Sequence, residues 1–360
     1  MTGGFFSGGA HGGAHGGAHG GAHGGAHGGA HGGAHGGAHG LMHAGGIPSS
    51  ILSHALTVSH DGTMGYWNGE ADNPDPQLVH NTKSVEYLSP NLRHQVILAE
   101  LISRFQVKGL RGGVAKLKLG GKKIATLVKP ENEYFVKQLQ WLRAYADLRS
   151  DRHAEILAQT VDILSFFGAI VHLNSSRREH SLEVLQITQS LCYMLEMLIK
   201  HRVRAPRPVD FSSKVQPLIQ TPDHSSFPSG HATEAYAIAT VLDAMIQSGS
   251  GPQQGKDATH RKLFRLAHRI AANRIVAGVH FPTDNAAGAV LGSQIGNVLL
   301  AIVKNRNLKK FDYGKGIQLD PDEDFTRDWY DNNYSNTEKG YVSKPALFAE
   351  KFRLACEEWK

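Results

Sequence analysis

The sequence predicts an all-α protein: a helical bundle of about six core helices, with a small β-hairpin and an irregular N-terminal region. Three observations lead there. Beyond Pro130, six stretches of about twenty residues repeat apolar side chains at three- and four-residue spacing, the period that puts them on one helix face. Most connections between these stretches are short, which favours antiparallel neighbours. The cleanest two-residue alternation is confined to the residues around Gly120-Gly121.

Taken in order, residues 1–46 do not read as folding sequence. From Gly8 to His39 the unit Gly-Gly-Ala-His repeats eight times, and with His43 nine of the 22 histidines lie in residues 1–46, of which this repeat tract is the bulk. It offers no large apolar side chain, and its glycines lose much entropy on ordering, so a disordered tail is expected. Evenly spaced imidazoles can bind divalent metal adventitiously, but a floppy tract does not pre-form a closed site. A metal-handling role for the tail is the reading ranked last, because it leaves the chemistry described below unexplained.

Residues 47–130 form a mixed region. Ala55 to Tyr66 is expected to hold a short strand pair, Leu92 to Phe105 a helix, and Val114 to Val128 a hairpin turning at Gly120-Gly121. Residues 131–310 are the bundle, with helices expected at Glu131–Arg149, His153–His172, His180–Lys200, Ser229–Ile246, Ala258–Gly278 and Asp284–Lys304. The long connection from Val209 to Pro228 stands out, since long loops in compact domains often carry function. Residues 311–360 read as an arm ending in a helix from Lys344 to Trp359. Its apolar residues lack an assigned core partner, which makes a homodimer plausible.

The formal charge of +6 suits anionic small molecules; no nucleic-acid motif accompanies it, so no nucleic-acid partner is expected. Cys192 and Cys356 form no metal or redox motif, and no disulfide framework is implied. The N-terminus lacks the basic segment and apolar core of a secretory signal. Ala286 to Val303 is uncharged for eighteen residues, yet it contains Gly288, Gly292 and Gly296, whose spacing suits close packing inside a bundle. A soluble, cytoplasmic protein without a membrane partner is therefore expected.

The chemistry lies in three short groups. Lys200 precedes Arg207-Pro208 by seven residues, and Pro206 and Pro208 end the preceding helix near Arg204. Pro228-Ser229-Gly230-His231 opens a helix whose first amides, free of intrahelical partners, converge on one spot. Arg274 is followed by His280 and Asp284, the carboxylate able to hold one imidazole nitrogen and so present the other. Each group alone is commonplace: a surface charge, a helix start, a cap. Together they supply three cations, backbone donors, two histidines and a carboxylate, the equipment for a tetrahedral or trigonal oxyanion.

Lys200-x6-Arg207-Pro208, Pro228-Ser229-Gly230-His231 and Arg274-x5-His280-x3-Asp284 resemble the three-part signature of the type 2 phosphatidic acid phosphatase and vanadium haloperoxidase superfamily. The resemblance implies a helical bundle with its site at one end. It implies that Lys200, Arg207, Ser229, Gly230 and Arg274 bind the anion. His280 would be the covalent centre, as phosphohistidine or as vanadium ligand, with His231 as acid/base and Asp284 orienting His280. Asn273 stands where the family usually has Ser and is expected to be peripheral.

Two enzymes share this signature. The branch expected is a vanadate-dependent haloperoxidase oxidising halide with peroxide. His224 lies seven residues before His231, where such enzymes place a second histidine, and is the halide-pocket candidate. Met197, where they commonly carry Trp, argues the other way. The alternative is a soluble acid phosphatase without vanadate, hydrolysing phosphate monoesters.

Overall fold

The computed structural model describes residues 50–64, 66–74, 85–109, 113–304, 311–314, 317–334 and 347–360. The Gly-Gly-Ala-His tract, and with it the tail expected over residues 1–46, lies outside the described residues. The chain divides into two units, Met1–Val96 and Ile97–Lys360.

In the first unit, helix α1 (Ser50–Thr63) replaces the strand pair expected at Ala55 to Tyr66. An alternation read over so few residues cannot separate the two periods, and the run has no glycine before Gly62 to break a helix. Helix α2 (Pro90–Ser103) begins in this unit, with proline in the first turn, where its missing N–H costs nothing.

The second unit begins with a small sheet. Strands β1 (Phe105–Lys108), β2 (Val114–Leu119) and β3 (Lys122–Val128) form an antiparallel meander, and β4 (Phe311–Tyr313) adds in parallel beside β3. The hairpin falls where expected, and Gly120 and Gly121 both take positive φ at its turn. The flanking strands β1 and β4 are too short to announce themselves by alternation.

The bundle comprises α3 (Asn132–Ala146), α4 (Arg149–Val161), the single-turn α5 (Leu164–Gly168), α6 (Glu179–Val203), α7 (Pro208–Phe211), α8 (Gly230–Ser248), α9 (Gln253–Val276) and α10 (Pro282–Lys304). The helix expected at His153–His172 is broken at Asp162. That residue is extended, and its carboxylate accepts from the amides of Leu164, at 2.7 Å, and Ser165, capping a new turn. Helix α6 ends at Arg204, which takes left-handed backbone angles before the Pro206 and Pro208 pair. The long connection after Arg207 contains α7 and a 3-10 turn at Ser213–Val215.

Helix α8 is central and packs against α6, α9 and α10. Gly288, Gly292 and Gly296 line the face that α10 turns towards it: a Cβ at Gly292 would lie 2.0 Å from the Thr233 carbonyl oxygen. The backbones meet so closely that only hydrogen fits between them. After β4 come α11 (Arg327–Asn333) and α12 (Leu347–Glu357), the latter against α6. The arm's apolar residues Phe325, Trp329, Tyr330, Phe348 and Phe352 are buried within this unit. The observation behind the homodimer expectation is thus answered inside the chain. Both cysteines are free thiols.

The cytoplasmic expectation is corrected. It rested on reading Ala286 to Val303 as a helix packed inside the bundle. Two helical segments, Glu179–Phe211 and Pro282–Val303, are long and apolar enough to cross one, with mean hydropathies of 1.2 and 1.7. The smallness of Gly288, Gly292 and Gly296 does not lower hydropathy enough to exclude the second segment. The first is only 56 % buried within the protein and leaves Tyr193, Met194 and Leu198 exposed.

Candidate active site

Helices α6, α8, α9 and α10 bring the three sequence groups together. Lys200, in the last turn of α6, is buried, and its Nζ lies 3.3 Å from His224 Nδ1. Arg207 follows at the cap of α7, held by a bond from its amide to Asp210 Oδ2 at 2.7 Å. Its guanidinium donates to the carbonyls of His224 (3.1 Å) and Val279 (2.7 Å). One terminal nitrogen stands 3.2 Å from His280 Nε2, and the other 3.1 Å from His224 Nδ1.

His280 sits in the tight link between α9 and α10. Its Nδ1 faces Asp284 Oδ2 at 3.1 Å, so Nδ1 carries the proton and Nε2 presents its lone pair towards Arg207. The same carboxylate oxygen accepts from the Phe281 amide at 2.9 Å and from the Ser226 hydroxyl. Asp284 also ties the helices together, its carbonyl accepting from the Ser229 amide at 2.9 Å. Burial is the largest influence on His280, followed by Arg207, Lys200, His231 and Arg274; together they hold its pKa well below the ordinary value.

Ser229 occupies the cap position of α8, but its Oγ makes no capping bond. That hydroxyl is buried without a partner among the described residues. Gly230 begins the helix with Glu196 directly beneath it: a Cβ here would lie 2.5 Å from Glu196 Oε1. A side chain here would have to displace the Glu196 carboxyl. His231, next in the helix, turns its Nε2 to the Gln159 carbonyl at 2.9 Å. Part of its surface remains accessible, yet desolvation, reinforced by Arg274, pushes its pKa down to about 3 against a small opposing effect of that carbonyl bond. The imidazole is neutral, with its proton on Nε2 and a lone pair on Nδ1.

Arg274 projects from the last turn of α9 and is 1 % exposed. One terminal nitrogen donates to the Ile156 carbonyl (3.3 Å) and to Gln159 Oε1 (3.2 Å). Its Nε and other terminal nitrogen have no acceptor among the described residues. Burial lowers its pKa to about 10, still cationic at neutral pH. Unpaired buried donors are costly, and here three of them, two on Arg274 and one on Ser229, lack an acceptor among the described residues. The donor set fits a tetrahedral oxyanion, phosphate or vanadate alike.

The cleft beside Lys200 and Arg207 measures about 690 Å³ and is lined by Met197, His201, Arg204 and His224 among others. His224 is half-buried there. Desolvation and Lys200 lead in depressing its pKa to about 4, so it is a neutral imidazole bridging two cations. A larger cavity of about 870 Å³ is lined by Asp320, Glu323, Asp324 and Asp328, and that charge repels an anion.

All nine residues named from the sequence therefore fall in this region of the fold. Three others were missed. Ser226 holds both Asp284 and His280 and stands only three residues before Ser229, so proximity was its signal. Glu196, one turn before Lys200, and Gln159, on a different helix, had none. Asn273 is corrected from peripheral to buried. Its side-chain amide donates to Glu155 Oε1 (2.9 Å) and Gln159 Oε1 (3.0 Å) and its oxygen accepts from Arg152 at 3.0 Å.

The family described as "PAP2 superfamily" matches residues 184–308. A decaprenylphosphoryl-5-phosphoribose phosphatase of Mycobacterium tuberculosis is 31 % identical over 38 % of this chain and 68 % of its own length. A vanadium-dependent bromoperoxidase of Ascophyllum nodosum is 31 % identical over 21 % of this chain but only 17 % of its own. Among solved structures, Aquifex aeolicus LpxE aligns with 27 % identity, 44 % of this chain, 92 % of its own and a TM-score of 0.34. A transmembrane PAP2-type phosphatidylglycerolphosphate phosphatase of Bacillus subtilis aligns with 18 % identity, 47 % of this chain, 95 % of its own and a TM-score of 0.30.

Proposed function

The chain belongs to the PAP2 superfamily, and from that premise we propose that it hydrolyses a phosphate monoester through a phosphohistidine at His280. The observation that carries the proposal is the orientation of that ring. With Nδ1 held by Asp284, Nε2 faces the guanidinium of Arg207 beside the unpaired donors. The order of the two expectations is thereby reversed, because the phosphatase relative shares far more of its length with this chain than the bromoperoxidase does.

In the first step Nε2 attacks phosphorus and the ester P–O bond breaks. His231, protonated when the bound dianion offsets its cationic surroundings, gives its proton to the leaving alkoxide. In the second step neutral His231 takes a proton from water, whose oxygen attacks phosphorus as the P–N bond breaks. Phosphate leaves and His280 is restored. Lys200, Arg207, Arg274, Ser229 and the Gly230 amide oppose charge on the equatorial oxygens, where it accumulates in each transition state.

The substrate class we infer is a phosphate carried on an apolar chain. Tyr193, Met194 and Leu198 leave an exposed apolar strip on α6 that reaches Met197 at the cleft, where Arg204 adds positive charge. The relative's name, with its decaprenyl phosphoryl group, supports the same class.

The haloperoxidase reading keeps one favourable observation, the imidazole of His224 between Lys200 and Arg207. Lys200, Arg207, Ser229, Gly230 and Arg274 would hold the oxygens of a bound vanadate and His280 its vanadium, supplying peroxide activation. A paired assay separates the two. The protein should release phosphate from farnesyl phosphate faster than from p-nitrophenyl phosphate, orthovanadate should inhibit it, and His280→Ala should lose at least about a thousandfold in kcat. Bromination dependent on vanadate and peroxide, with negligible ester hydrolysis, would reject the phosphatase reading.

A further inference from the structure

The last turn of α4 lies behind two residues of the site, and a single residue touches both. Gln159 is 1 % exposed. Its Oε1 accepts from the Arg274 guanidinium at 3.2 Å and from the Asn273 amide at 3.0 Å. Its Nε2 donates to Glu155 Oε1 at 3.0 Å, and its carbonyl meets His231 Nε2 at 2.9 Å. The amide orientation is fixed by this set, because the flipped form would place a donor against the donors of Arg274 and Asn273.

The network continues outward. Asn273 bonds Glu155 and Arg152, and Glu155 takes a two-pronged bond from Arg269 at the surface. Every link from Arg269 to Arg274 is thus occupied, and the guanidinium is held at one terminal nitrogen, its other two nitrogens without an acceptor among the described residues. The helix end adds to this, since the Gln159 carbonyl lies in the last turn of α4 and carries the partial negative charge of a C-terminus towards His231, while the Ile156 carbonyl accepts from Arg274.

We propose that Gln159 is the positioning residue of this site: its side chain aims Arg274 at the oxyanion, and its carbonyl fixes the tautomer of His231. The inference rests on the oxyanion-binding reading above. It also explains Asn273, whose amide holds Gln159 in register, and it divides the residue's two tasks between side chain and main chain. A side-chain substitution should therefore weaken anion binding while leaving the proton on His231 where it is.

The test uses the full chain and calorimetric titration with orthovanadate and inorganic phosphate, with thermal melting as a control for folding. Gln159→Met, close in size but without an acceptor, should weaken both anions about tenfold. In an Arg274→Ala background the same substitution should cost no further affinity, since the effect travels through that guanidinium. In the pH profile of ester hydrolysis, the limb set by His231 should stay in place in Gln159→Met. Should that variant fail to fold, Asn273→Ala should show the same loss and the same dependence on Arg274.

Binding within twofold of wild type, or a loss that adds in full to that of Arg274→Ala, would overturn the inference while leaving the oxyanion reading intact. A wild-type protein that binds neither anion would instead remove that reading, and this inference with it.

Discussion

At the scale of single residues, the site contains partly buried imidazoles kept neutral among cations. His231 at about 3, and His224 at about 4, lie well below the 6.5 of an exposed histidine. Both are depressed in the folded state, so between those values and 6.5 the unfolded chain binds protons that the folded one refuses. Stability is therefore full above about pH 6.5 and is lost as pH falls towards 3. Urea midpoints measured from pH 7.5 down to 4 should fall below pH 6.5, and His231→Asn should flatten the decline. The signature residues were legible because their chemistry is ordered along the chain. Ser226 and Gln159 were not, since a serine or glutamine becomes a positioning group only through what lies beside it.

Among the elements, close approach decides more than propensity does. Helices α8 and α10 meet through glycines, and the Asp284 carbonyl to Ser229 amide bond closes the contact at the site end. Gly292→Ala would drive a methyl group into the backbone at Thr233, and should destabilise the protein by about 1–3 kcal/mol in chemical denaturation. Ala at Gly255, where no atom lies within 4 Å, is the control and should be neutral or slightly stabilising. The periodicity that located the bundle helices could not show that Asp162 splits one of them. That break comes from a side chain competing with its own backbone, a contest that the apolar pattern does not record.

On the scale of the second unit, the C-terminal segment fastens the helix that carries Lys200. Glu358 accepts from the amides of His180 (2.8 Å) and Ser181 (2.9 Å) and from the Ser181 hydroxyl (2.6 Å), capping α6 from 177 residues away. The Trp359 indole donates to the same hydroxyl, and Arg178 stacks on its ring. Glu358→Gln keeps the shape but removes the charge at a helix N-terminus. It should lower stability by about 1 kcal/mol, read as a urea midpoint shift, with KM for the ester unchanged. Deleting residues 358–360 should cost more, because the amides of His180 and Ser181 lose their acceptors and the Ser181 hydroxyl keeps only its longer bond to the Ala355 carbonyl.

The sequence by itself determined the helical bundle and its hairpin and picked out nine candidate site residues, because periodicity and ordered motifs are properties of the chain. It also narrowed the chemistry to an oxyanion, since charge and donor type are read directly from side chains. Only the tertiary structure decided which donors are left free for that anion, which nitrogen of each histidine carries the proton, and that α4 supplies the wall behind Arg274. Most of those facts depend on contacts between distant residues, Gln159 with His231 across 72 positions and with Arg274 across 115. No local pattern encodes them; they exist only once burial has removed water as the competing partner.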